Sequence, residues 1–109
     1  MDRRARRRRR TRLRINVDPG GVSSFTGDLS PGGVFVYAAR VHRPGTAVRL
    51  VLRLPAGAAG AEGVVRWAKR VPAPLLNHIR GGMGIEFTWV SPELEAFLGG
   101  ESGLSRAAG

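Results

Sequence analysis

Asp28, Ser30 and Gly33 stand at the spacing D-x-S-x-x-G within "DLSPGG", downstream of an N-terminal tract in which nine of the first fourteen residues are arginine. A carboxylate accepts hydrogen bonds, a hydroxyl can donate to an anionic oxygen, and a glycine lets the main chain come close to a ligand. Asp28 therefore suits the N1 and exocyclic amine donors of a guanine, Ser30 suits a phosphate oxygen, and Gly33 a close backbone approach. Arginine complements them, because its planar fork grips guanine O6 and N7 or a phosphate in bidentate fashion and stacks on a base. Alone, a Ser-Pro-Gly-Gly turn behind an aspartate is an ordinary turn with a local side-chain hydrogen bond. An arginine tract alone is a contact for nucleic acid or an anionic membrane. The two features together are what point to a guanine nucleotide.

Other chemistries find no residues to carry them. The sequence contains no cysteine, so it has neither a disulfide framework nor a thiolate zinc site. His42 and His78 both fall in predicted loops, no serine stands in a G-x-S-x-G elbow, and no histidine-glutamate metal spacing occurs. A G-x-x-x-x-G-K-[ST] phosphate loop is also lacking. We expect no enzyme activity, no catalytic residue and no metal or cofactor.

The elements that must position the site follow from hydrophobic periodicity. Leu13, Ile15 and Val17 alternate with Arg12, Arg14 and Asn16, the pattern of a half-buried strand. Asp18-Pro19-Gly20-Gly21 reads as a turn, and residues 22 to 29 as the returning strand. With the turn centred on Pro19 and Gly20, paired positions sum to about 39, which sets Asp28 opposite position 11 and Ser30 opposite position 9. Hairpin geometry thus carries Asp28 to Gly33 back to the end of the arginine tract. Strands are expected over 34–37, 46–54 and 62–71, with a Gly/Ala-rich loop at 55–60 and a longer loop over 71–81. In a last strand Met83, Ile85, Phe87 and Trp89 form the inner face. Trp67 alternates with Val65, so it packs in the core or on the surface. Ser91 caps a short helix with Pro92 at its first position, Glu93 and Glu95 in the first turn, and Gly99-Gly100 as the stop.

Size and charge frame this reading. At 109 residues the chain is one domain. The net charge is +10, and the first fourteen residues hold nine arginines against one acid. The other residues carry nine basic against seven acidic groups, so the basicity belongs to an arm and not to the body. No apolar run reaches the roughly 18 residues needed to span a bilayer. The arginine-rich start has no apolar stretch behind it and lacks the form of a secretory signal. A cytoplasmic protein with no membrane insertion is the expectation.

At these residues the chain resembles the PilZ family, bacterial receptor domains for the second messenger cyclic di-GMP. The family's second motif, [D/N]-x-S-x-x-G, is matched by Asp28, Ser30 and Gly33, and "DLSPGGVFV", "GVVRW", "GGMGIEF" and "SPE" extend the likeness over residues 6 to 98 or so. Its first motif, R-x-x-x-R just before the first strand, fits five frames of the tract: Arg3 with Arg7, Arg4 with Arg8, Arg6 with Arg10, Arg8 with Arg12, and Arg10 with Arg14. The family's placement of the second arginine selects Arg6 and Arg10, with Arg7 assisting. The resemblance also leaves room for Trp67 to flank a base.

The expected fold is mainly β, a small six-stranded antiparallel barrel with a short C-terminal helix and a flexible basic N-terminal arm. Residues 1–9 are the arm, 10–99 the barrel with its helix, and 100–109 a flexible tail. The expected ligand is cyclic di-GMP, held by Arg6, Arg7, Arg10, Asp28, Ser30 and Gly33, with an effector protein of unknown identity receiving the signal. The alternatives are a basic nucleic-acid-binding module and a PilZ-like adaptor that binds no ligand.

Overall fold

Alternating apolar residues close the chain into a barrel. A computed structural model describes residues 9–72, 75 and 81–99. Arg6, Arg7, His78 and the expected tail lie outside these residues. The strands are β1 (Arg9–Arg10), β2 (Arg14–Asp18), β3 (Val22–Ser30), β4 (Gly33–Tyr37), β5 (Ala47–Leu54), β6 (Gly57–Lys69) and β7 (Gly82–Val90). All pairings are antiparallel, and the order β3-β2-β5-β6-β7-β4 closes through a β3–β4 pairing into six strands. The two-residue β1 continues the line of β2 along β3, so the barrel's pairing begins at Arg9, the last residue of the expected arm.

Inward positions recur every second residue, as a pleated strand requires. Ile15 and Val17 from β2, Val34 and Val36 from β4, Val48, Leu50 and Leu52 from β5, and Met83, Ile85 and Phe87 from β7 are buried in one core. Removing a side chain of this size from water contributes about 1.5–3 kcal/mol. The β2–β3 turn falls where Asp18-Pro19-Gly20-Gly21 places it. Gly20 and Gly21 have φ of 99° and 60°, which favour glycine, and the Gly21 N–H donates to Asp18 Oδ1 at 3.0 Å.

Three expectations are corrected. The Gly/Ala-rich residues 57 to 60 are not loop: β5 and β6 form a hairpin through Pro55 and Ala56, and Ala59 and Ala61 are buried in the core. Strand β6 ends at Lys69 and not at 71. Trp89 is not on the inner face. A bulge in the β6–β7 ladder at Glu62/Gly63 shifts the register, leaving Trp89 36% exposed and burying Val90 completely.

Helix α1 (Pro92–Phe97) starts as its sequence signals. Ser91 is extended, and its Oγ accepts from Leu94 N at 3.2 Å, with Pro92 at the first helical position and Glu93 and Glu95 in the first turn. Leu94 and Leu98 bury against the barrel, which a helix of six residues needs in order to persist. Gly99, at φ 92°, ends it.

Candidate ligand-binding face

The β2–β3 ladder delivers the arginine tract to the D-x-S-x-x-G stretch. Within the hairpin Arg14 pairs with Phe25 and Val17 with Val22, so paired positions sum to 39. Beyond a break at residues 11 to 13 the pairs are Arg10 with Asp28 and Arg9 with Leu29, which sum to 38. Asp28 therefore faces Arg10 and not position 11, because the first strand carries one extra residue at the break.

Thr26 holds that break together. It is 1% exposed, and its Oγ1 accepts from Leu13 N at 3.0 Å while donating to the Thr11 carbonyl at 2.5 Å. The Thr26 N–H donates to Leu13 O at 2.8 Å. A side-chain hydroxyl thus replaces the main-chain pairing that the extra residue interrupts, and it fixes where the arm leaves the barrel.

Asp28 and Ser30 are half-buried near the end of β3. Leu29 between them is fully buried, so alternation turns Ser30 to the outer face. Ser30 pairs with Gly33 across the two-residue turn Pro31-Gly32, and Ser30 Oγ lies 3.4 Å from the Gly33 carbonyl oxygen. Phe87 N donates to Gly32 O at 2.9 Å, which ties the turn to β7. A Cβ at Gly33 would come within 2.3 Å of Ile85 O. Gly33 thus lets β4 lie close against β7 beside the turn that follows Asp28 and Ser30.

Alternation along β4 puts Phe35 and Tyr37 on the outer face that Gly33 begins. Their rings meet edge to face at 4.9 Å, and Phe35 stacks on Trp67 at 5.2 Å with 18° between planes. Trp67 does not share the side of Val65, as strict alternation would require. A bulge in β6 between Val65 and Trp67 turns the indole outward, half exposed, across Gly84, where a Cβ would lie 2.2 Å from Nε1. Across β3, Phe25 pairs with Tyr37 and lies under the guanidinium of Arg12 at 4.2 Å and that of Arg14 at 5.6 Å. Glu86, opposite Gly33, forms an exposed ion pair with Arg66 at 2.5 Å.

Of the expected site residues, the ladder brings together Arg10, Asp28, Ser30 and Gly33, while Arg6 and Arg7 lie outside the described residues. Periodicity did not single out Thr26, Phe35 or Tyr37 as part of the site. The signal for the aromatic pair was the V-F-V-Y alternation at 34–37 facing the glycines of "GGMG" at 81–84. Among the described residues, no three His, Asp or Glu side chains cluster so as to hold a metal ion, and no helix is long and apolar enough to cross a membrane.

No curated protein matches the chain. Among solved structures, the inhibitor of motility (MotI/DgrA) of Bacillus subtilis superposes with a TM-score of 0.72 at 22% sequence identity, covering 90% of this chain and 48% of the other. The chain thus spans about half the length of that structure, and the likeness is one of fold. The model of the PilZ domain matches residues 2–100. PilZ domains are a family of cyclic di-GMP receptors and adaptors, and with the match spanning nearly the whole chain and a six-stranded barrel closed by a short helix, the chain belongs to the PilZ domain family.

Proposed function

We propose that this domain is a cyclic di-GMP receptor that holds the messenger between the arginine arm and the Asp28–Gly33 rim and passes the signal to an effector protein. The observation that carries the reading is the antiparallel backbone pairing of Arg10 with Asp28, which brings the end of the arginine tract to the D-x-S-x-x-G stretch. Arg6 and Arg7 reach the ligand from the arm, Arg10 from its root, Asp28 accepts from a guanine edge and Ser30 donates to a phosphate. Arg12 and Arg14 are engaged over Phe25, which supports the frame formed by Arg6 and Arg10. The exposed indole of Trp67, backed by Phe35, offers a base a stacking surface, an interaction worth about 1–3 kcal/mol per base. Binding chemistry accounts for these residues without a catalytic step, and a cytoplasmic bacterial setting goes with the ligand.

The density of arginine in the tract favours a second reading, a module that neutralises nucleic-acid phosphates. One titration set separates the two: cyclic di-GMP, the linear diguanylate and single-stranded RNA, each at two salt concentrations. The receptor reading expects saturable binding of cyclic di-GMP at a defined stoichiometry and a preference over the linear form. RNA binding that falls steeply with salt, with no cyclic di-GMP binding at about tens of micromolar, would replace it.

A further inference from the structure

The outer face of β2, β5 and β6, on the other side of β2 from the aromatic row, carries a charge pattern that ligand binding does not use. Arg53 stands at one end of β5's outer row, and one step beyond the Ile15–Leu52 pair it comes beside Arg14, with Arg12 adjacent. All three are exposed, and among the described residues none is ion-paired with a carboxylate. At the other end of the row Asp18 pairs with Arg49 and Arg49 with Glu62, so opposite charges alternate across three strands. Between the two ends lies an apolar strip. Val51, 45% exposed, pairs with Gly60, and the Trp89 ring lies over Gly60, 3.9 Å from where a Cβ would stand.

We infer that this face is a docking surface for an acidic segment of a partner protein, with carboxylates at Arg14 and Arg53 and an aliphatic or aromatic side chain against Val51 and Trp89. Charge complementarity selects the occupant. Three exposed guanidinium groups without a carboxylate partner, that of Arg53 and those of Arg12 and Arg14 over Phe25, match with the neighbouring apolar surface a segment that is acidic at one end and apolar next to it, since Arg and Trp anchor protein interfaces. Asp18 and Glu62, about four residues or roughly 13 Å along the face, would repel a polyanion laid across its full length. That distinguishes the surface from a nucleic-acid track. A second copy is disfavoured, because each copy carries a net charge of +10 and two like-charged copies repel. β5 is paired with β6 along its length and with β2 over residues 49–52, so it lies inside the sheet and the partner docks through side chains and not by adding a strand.

This surface deepens the effector half of the receptor reading without depending on the ligand, so it is tested in ligand-free protein. A short synthetic peptide with an acidic half followed by leucines is titrated into the full chain, with amide shifts followed by NMR. Shifts should centre on residues 49 to 53 and 89. Arg53→Glu and Val51→Ser should each weaken binding by about tenfold or more. Arg43→Glu, the same charge change in a distant turn, should change it less than about twofold. Equal loss in Arg43→Glu and Arg53→Glu, or shifts confined to residues 9 to 14, would overturn the inference. So would single-stranded RNA or phosphatidylglycerol vesicles that bind this face through Arg53 while the peptide does not. Failure of cyclic di-GMP to bind would leave these outcomes unchanged, which keeps the two claims separable.

Discussion

Replacing Thr26 with valine removes one oxygen and keeps the shape of a side chain on which the root of the arm depends. Two hydrogen bonds disappear, from Leu13 N at 3.0 Å and to Thr11 O at 2.5 Å. Each bond of this kind is worth about 0.5–1.5 kcal/mol net, and a buried donor left without a partner costs about 1–3 kcal/mol. Thr11 and Leu13 are half-buried, so water recovers part of that cost, and the loss should total about 2 kcal/mol. The damage is local, because the core residues flanking Thr26 keep their contacts. Urea denaturation should show a midpoint lower by about 1 M with an unchanged slope, given a slope of about 1–3 kcal/mol/M. Hydrogen exchange should accelerate at Leu13 and in the β1 amides more than in β5. Cyclic di-GMP affinity should fall, although Thr26, 1% exposed, can touch no ligand. A variant as stable as the parent, with β1 protection intact, would refute the reasoning.

Further substitutions test other parts of the account. Gly84→Ala puts a Cβ where the Trp67 indole now lies, so it should lift the ring off Phe35. Overpacking costs about 1–3 kcal/mol, and the exposed ring can swing away, so a loss near about 1 kcal/mol is expected together with a changed Trp67 emission in a Trp89→Phe background. Gly32→Ala, with nothing within 4 Å of its Cβ, is the control and should leave emission and stability nearly as they were. Ser91→Ala removes the cap on Leu94 N and should cost about 0.5–2 kcal/mol by thermal or urea denaturation, with faster exchange in α1.

The barrel was legible because its strands alternate cleanly. Val48, Leu50, Leu52 and Met83, Ile85, Phe87 are buried as a period of two requires, and the 18–21 turn fixed the hairpin register that carries Asp28 to the arm. What escaped the sequence came from single inserted residues. One extra residue at the 11–13 break moved Asp28 from position 11 to Arg10. The bulge between Val65 and Trp67 turned an indole outward, and the one at Glu62/Gly63 exchanged Trp89 for Val90 in the core. A bulge inverts every face beyond it, yet no residue type announces it, so periodicity alone cannot locate one. At Gly33 the structure adds a packing constraint that periodicity did not show, since the Ile85 carbonyl is its neighbour. Residues 57 to 60 read as loop because glycine and alanine avoid strands, whereas here the ladder with β5 runs through all four of them.

The central proposal is that Asp28 and Arg10, paired in the ladder, both contact cyclic di-GMP. Isothermal titration of cyclic di-GMP into the parent chain, Asp28→Ala and Arg10→Ala tests it most directly, with Arg43→Ala as a basic residue remote from the rim. The account expects saturable binding by the parent and by Arg43→Ala, and a loss of about 2 kcal/mol or more, roughly thirtyfold, for each rim variant. Binding that weakens equally with any lost arginine and is indifferent to Asp28 would contradict it, leaving only the charge of the arm.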